Sequence, residues 1–123
     1  MKILTGREFE VMKVIWDANK SLSVGEIQNK LPDLSIYSVQ QVLRKLLKDG
    51  FVYIEKSKIQ VKALTRFFAP VIKESDYVHS FISPQSSFEI ASWLIQETQD
   101  KEAIQRIEKL IREKKKEWES LDE

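Results

Sequence analysis

At 123 residues, 42% of them hydrophobic and 32% charged, the chain has room for one small domain with an appendage and for a genuine core. It contains no cysteine, which excludes a disulfide framework and any thiolate metal site and allows a cytoplasmic location. The net charge of +1 is unevenly spread: Met1 to Leu34 is balanced, Ser35 to Arg66 carries seven basic residues against two acidic, and Phe67 to Glu123 carries eight against twelve. A basic middle in a nearly neutral chain suits a polyanion at one end of the molecule and a different partner at the other.

The N-terminus, MKILTGREFEVMKVIW, lacks the uninterrupted apolar core of a signal peptide. No apolar run approaches the roughly 20 residues that span a membrane. The expectation is a soluble cytoplasmic protein with no membrane partner.

Thr5-Gly6-Arg7-Glu8 has the form of a capping box, so a first helix is expected from about Gly6 to Asn19, with Phe9, Met12, Val14, Ile15 and Trp16 on its apolar side. Ser23-Val24-Gly25-Glu26 repeats the device. A second helix should run from about Val24 to Lys30 with Ile27 and Leu31 inward, ended by Pro32-Asp33. Ser35 is the natural N-cap of a third helix over about 36–49, and Gly50 supplies its left-handed C-terminal stop.

This third helix, within SIYSVQQVLRKLLKDG, combines a buried stripe with a chemically useful exposed face. Val39, Val42, Leu43, Leu46 and Leu47 recur at helical spacing on one side. Tyr37, Gln40, Gln41, Arg44 and Lys48 lie on the other, flanked by Ser38 and Lys45, and no acidic residue appears before Asp49. Gln and Arg pair bidentately with adenine and guanine edges in a DNA major groove, whereas Ser, Tyr and Lys hold phosphates. The plain alternative is an ordinary amphipathic helix with a solvated outer face.

Next comes a β-forming run, Phe51 to Glu55, then a basic stretch with Lys56, Lys58, Lys62 and Arg66, and a second β-forming run from Thr65 to Ile72. The expectation is a hairpin whose basic connection is longer than a tight turn, although Ile59, Val61 and Leu64 sit awkwardly in an exposed loop. Three helices followed by a basic hairpin make a winged helix-turn-helix. The fold class expected is therefore mainly α with a small β-hairpin.

From Glu74 the chain turns to helices with charged exteriors. Ser75 to Ile82 should form a short helix, with Tyr77, Val78, Phe81 and Ile82 as its apolar contacts. After the break at Ser83-Pro84, Phe88, Ala91 and Ile95 stripe another helix, with Ile90 and Leu94 beside them. Asp100 caps the last helix, where Ile104, Ile107, Ile111, Trp118 and Leu121 follow heptad spacing interrupted at Lys114. These stripes point to C-terminal dimerisation helices, the alternative being a helical hairpin folded back on its own domain. A division into a winged-helix DNA-binding domain at 1–73 and a helical dimerisation region at 74–123 follows.

Enzyme chemistry has little to stand on. His79 is the only histidine, so no two-His metal centre can form within one chain, and without cysteine a Cys-His nucleophile is excluded. Gly6, Gly25 and Gly50 are too far apart for a phosphate-cradling loop. No catalytic residue, no cofactor and no metal is expected.

With these residues in place, LTGREFEVMKVIWDANKSLSVGEIQNKL, SIYSVQQVLRKLLKDGFV, TRFFAPVIKESDY and, more loosely, DKEAIQRIEKLIRE resemble the penicillinase-repressor family, the BlaI/MecI/CopY group of transcriptional repressors. The Glu-x-x-Val-Met-x-x-Ile-Trp pattern from Glu8 to Trp16 and the Ser35 start of the third helix carry most of the likeness. The resemblance implies a dimeric winged-helix repressor with its third helix in the major groove of a pseudo-palindromic operator. Copper-responsive members end in a cysteine-rich metal site, which a chain without cysteine cannot form. β-Lactam-responsive members are cut at an Asn-Phe bond; the residues aligned with it here are Ser92 and Trp93, an aromatic preceded by serine rather than asparagine.

The expected function is thus a homodimeric, sequence-specific repressor, with double-stranded operator DNA and a second copy of the chain as partners. Gln40, Gln41 and Arg44 are the candidates for base contacts, Tyr37, Ser38, Lys45 and Lys48 for phosphate contacts, and Lys56, Lys58 and Arg66 for the wing. Phe88, Ala91, Ile95, Ile104, Ile107, Ile111 and Trp118 are the dimerisation candidates. Two other readings stay open: a winged-helix protein-interaction adaptor using its basic face on an acidic partner, and a repressor released by a small ligand.

Overall fold

Helix α1, Gly6–Ala18, begins where Thr5 and Glu8 cap each other: the Glu8 amide donates to Thr5 Oγ1 at 3.2 Å and the Thr5 amide to Glu8 Oε1 at 2.9 Å. It ends at Asn19, whose φ of 54° is left-handed. Its inward face is Val11, Met12 and Ile15, all buried. Val11, rather than Phe9 or Trp16, completes that stripe; Phe9 and Trp16 turn sideways to meet Tyr77. The computed structural model describes residues 1–60 and 63–122, and at 57–60 and 63 it describes the backbone.

A two-residue strand, β1 (Leu22–Ser23), precedes α2 (Val24–Lys30). Ser23 serves both, since its side chain caps α2 in a second capping box with Glu26. Ile27 of α2 is fully buried. Helix α3, Ile36–Lys48, starts on the Ser35 cap and presents Val39, Leu43 and Leu46 to the core, with Val42 and Leu47 at its margins. At its end the Phe51 amide donates to the Leu46 carbonyl at 2.9 Å and the Gly50 amide to Leu47 at 3.2 Å. This is the Schellman arrangement, and Gly50 takes the φ of 79° that it requires.

The hairpin differs from the sequence expectation. Strand β2 runs from Val52 to Gln60 and β3 from Ala63 to Pro70, antiparallel, so most of the basic stretch expected as a loop is strand. Lysine is depleted in strands, so the composition of this stretch gives no sign of one. Val61 and Lys62 lie outside the described residues. The register slips at a bulge between Ile54 and Lys56. β3 stops at Pro70, short of the expected Ile72, and the Val71 amide turns to the Phe51 carbonyl at 2.8 Å. Leu22 pairs with Phe68, giving a three-stranded sheet in the order β1-β3-β2 where the sequence suggested only a hairpin. Two residues are too few to display strand periodicity.

Helix α4 is shorter than expected, Glu74–His79. Tyr77 anchors it: the ring is buried against Phe51 and Phe81, and its hydroxyl accepts from the Leu4 amide at 2.8 Å. Trp16 Nε1 donates to the Ile72 carbonyl at 2.8 Å beside it. Fully burying an aliphatic or aromatic side chain is worth about 1.5–3 kcal/mol. The residues that support α3, among them Ile15, Ile27, Leu43, Leu46 and Phe51, are nearly all fully buried, so α3 is held from behind with its far side free.

The chain divides into two units, Met1–Phe81 and Ile82–Glu123. The second holds α5 (Pro84–Glu97), capped by Ser83 with proline in its first turn, and α6 (Lys101–Leu121), capped by Asp100. No residue of either helix is buried.

Candidate nucleic-acid interface

The exposed side of α3 is built on one ridge. Ile36, Gln40, Arg44 and Lys48 succeed each other at four-residue intervals, and all are exposed. Tyr37 stands beside them, 69% exposed, with Gln41 half-buried on the next row. Among the described residues, Tyr37, Gln40, Gln41, Arg44 and Lys48 make no side-chain hydrogen bond or ion pair. Their donors and acceptors are therefore available to a ligand.

Ser38 and Lys45 differ. The Ser38 amide and hydroxyl both engage Ser35 Oγ, at 3.0 and 3.1 Å, which ties Ser38 into the cap. Lys45 pairs with Asp49 at 3.5 Å. Asp49 is also gripped by Lys2 at 2.6 Å, and Lys2 reaches Glu8 at 2.9 Å. The Lys2 hydrogen bond, with Lys45 adding to it, holds the Asp49 carboxyl below its ordinary range against some desolvation. Burial pushes the Glu8 carboxyl up, but the Thr5 amide and the Lys2 ammonium outweigh it and leave it lowered.

The wing divides by face. Leu64, Arg66 and Phe68 alternate onto the side of β3 that meets α3. With Val24, Gln40, Leu43, Arg44 and Leu47 they line an open crevice of about 430 Å³. Two guanidinium groups and an amide from two different elements thus border one apolar-floored cleft. Lys56 instead pairs with Phe67, its ammonium 5.1 Å from the ring centre, and lines a separate cavity with Tyr53 and Lys73 on the other face. Arg66 joins the α3 ridge; Lys56 does not. Lys58 pairs with Thr65 in the ladder, and its side chain lies outside the described part. Val24, Leu47 and Leu64 contribute to the apolar floor; Leu47 belongs to the helical stripe and Leu64 fits an exposed loop poorly, but no sequence pattern joins the three.

In the second unit, Phe88, Ala91 and Ile95 are exposed on α5, and Ile111 and Trp118 on α6, while Ile104 and Ile107 are partly covered. Ser92 and Trp93 sit inside α5, Ser92 half-buried and Trp93 exposed. Among the described residues no group of three or more His, Cys, Asp or Glu could hold a metal, and no helix is long and apolar enough to cross a membrane.

Comparison with solved structures aligns the chain with the transcriptional regulator PA4135 at 20% identity and a TM-score of 0.48, over 92% of this chain and 78% of that one. A MarR family protein from Bacillus stearothermophilus aligns at 16% identity and a TM-score of 0.45, over 95% and 76%. No curated protein sequence matches the chain. The family model for the penicillinase repressor matches residues 4–113, from the start of the core through most of α6. The chain belongs to the penicillinase repressor family, and it is a winged-helix DNA-binding transcriptional regulator rather than an enzyme.

Proposed function

We propose that the chain is a homodimeric repressor that occludes a promoter by binding a pseudo-palindromic operator in double-stranded DNA. Residues 1–73 form the DNA-binding domain and 74–123 the dimerisation region. Helix α3 enters the major groove, where Gln40, Gln41 and Arg44 contact base edges and Tyr37, Ser38, Lys45 and Lys48 contact phosphates. The wing residues Lys56, Lys58 and Arg66 meet the neighbouring backbone.

The observation that carries this reading is the crevice shared by Gln40 and Arg44 of α3 with Arg66 of β3. Cationic groups from two elements converge there without a carboxylate among the lining residues. A polyanion threading between helix and wing meets that need. Self-association is supported by the apolar side chains that α5 and α6 leave uncovered, Phe88, Ile95, Ile111 and Trp118 among them. A two-fold dimer sets two α3 helices on half-sites one or more helical turns apart.

Selection from a random duplex pool at near-physiological salt tests the reading, with the mass of the protein in solution measured alongside. Recovery of a two-fold symmetric motif by a dimer is the expected result. Folded protein that enriches no sequence would overturn it.

A further inference from the structure

Ile36 is the first residue of α3 and contributes nothing to the core, although its neighbours in sequence pattern do. It is 44% exposed and belongs neither to the buried cluster nor to the side chains packed around it. A β-branched residue gains no helix propensity over a polar one there. A single exposed apolar residue is ordinary on a protein surface, so exposure alone decides nothing. Position does. Ile36 begins the ridge that continues through Gln40, Arg44 and Lys48, so the ridge runs from apolar to amide to guanidinium to ammonium. Helical side chains lean toward the N-terminus, so Ile36 projects from the leading end of α3. That end is the part of a recognition helix that meets base edges.

A major groove offers a single apolar group for such a side chain, the 5-methyl of thymine. Resting on the reading of α3 as the operator-reading helix, we propose that Ile36 is a specificity-determining residue that packs against a thymine methyl in each half-site. Four helical residues rise about 6 Å, close to two base-pair steps. The thymine therefore lies within about two base pairs of the base read by Gln40. Ile36 supplies no hydrogen bond, so its contribution is the exclusion of water from two methyl-bearing surfaces. Uracil, which lacks only that methyl, is the matched probe.

The test uses the full chain and the operator recovered by selection, with each thymine replaced singly by deoxyuridine. One thymine per half-site should show about a fourfold loss of affinity on replacement, the value of one buried methyl. Ile36→Ala should bring the thymine-to-uracil ratio at that position to near one, and Ile36→Val should leave it between, with the salt dependence and the thermal midpoint unchanged. If the operator binds but no thymine is sensitive to uracil, or if Ile36→Ala keeps the full uracil penalty, the proposal is overturned. If no operator is selected at all, the reading of α3 itself fails, a result separable from the first.

Discussion

Leu4 and Tyr77 are joined by a buried hydrogen bond of 2.8 Å, from the Leu4 amide to the Tyr77 hydroxyl, across 73 positions of chain. It fastens the N-terminal arm to the helix that follows the sheet. Removing only the hydroxyl, in Tyr77→Phe, leaves a buried amide without its partner and should cost about 1–3 kcal/mol in urea unfolding. Tyr77→Ala also empties the space between Phe51 and Phe81 and should cost about 3–5 kcal/mol. Equal midpoints for Tyr77→Phe and the parent protein would show the bond to be energetically idle.

On the proposed reading, the α3 ridge makes two kinds of contact. Arg44→Ala should lose about 1–3 kcal/mol on the selected operator and relax preference at one position. Lys48→Ala should weaken all duplexes alike and reduce the salt slope by about one. Lys45→Ala should have the smaller slope effect, because Lys45 already faces Asp49. Titrations at several salt concentrations distinguish these outcomes, and an Arg44→Ala protein that binds every duplex as the parent does would reverse the orientation assigned to α3.

Arg44 and Arg66 border one crevice, whereas Lys56 lies across the hairpin. A double-mutant cycle on operator affinity should therefore return a coupling of about 0.5–3 kcal/mol for Arg44→Ala with Arg66→Ala. The cycle for Arg44→Ala with Lys56→Ala should close to within about 0.5 kcal/mol. Matching couplings in both cycles would contradict the division of the wing by face.

Acid should loosen the fold through Glu8 and Asp49. Both carboxyls are lowered in the folded chain, so the unfolded chain binds protons first, and the stability they contribute is complete only above their ordinary values of 4.5 and 3.8. It is lost as pH falls through their folded values. Lys2, raised above 10.5 by Asp49 and then Glu8, acts in the opposite sense: its contribution is complete below 10.5 and fades as pH climbs through its folded value. Denaturation midpoints of Glu8→Gln, followed downward from pH 6, should change less between pH 5 and 3 than those of the parent, and parallel curves would refute the assignment.

Ile111→Glu places a charge on the exposed stripe of α6, 47% accessible in a single chain. If that stripe faces a second copy, burying the carboxylate costs well over 1.4 kcal/mol, and the self-dissociation constant should rise more than tenfold. Sedimentation equilibrium reads it directly. An unchanged constant would remove α6 from the proposed interface.

The parts of the fold legible in the sequence were those set by neighbours in the chain. Thr5, Ser23, Ser35 and Gly50 each mark a helix end by a hydrogen bond or a backbone angle that depends on three or four adjacent residues. The Val39, Leu43 and Leu46 stripe is legible for the same reason. The resemblance to the family rested on such local patterns too, Glu8 to Trp16 above all, and the family match over residues 4–113 takes in that segment. The extent of the hairpin was not legible, because its lysine-rich stretch lacks β-forming composition and becomes strand through cross-strand pairing. Nor was the division of Arg66 from Lys56, which depends on strand register after the bulge at Ile54 and Lys56. The Lys2–Asp49 pair spans 47 positions and leaves no periodic trace.

The joint between α3 and the sheet has a thermodynamic consequence. Gly50, held at φ 79° between the Leu46 and Leu47 carbonyls and the buried Phe51, sets the direction in which the chain leaves the helix. Arg44 and Arg66 therefore stand on elements whose mutual angle is settled during folding. The conformational entropy of bringing helix and wing together is lost when the chain folds, so none of it is charged against association with a ligand. If these residues read DNA as proposed, the protein adds no slow ordering step of its own, and any difference in docking rate between stiff and flexible duplexes reports the deformation of the DNA alone.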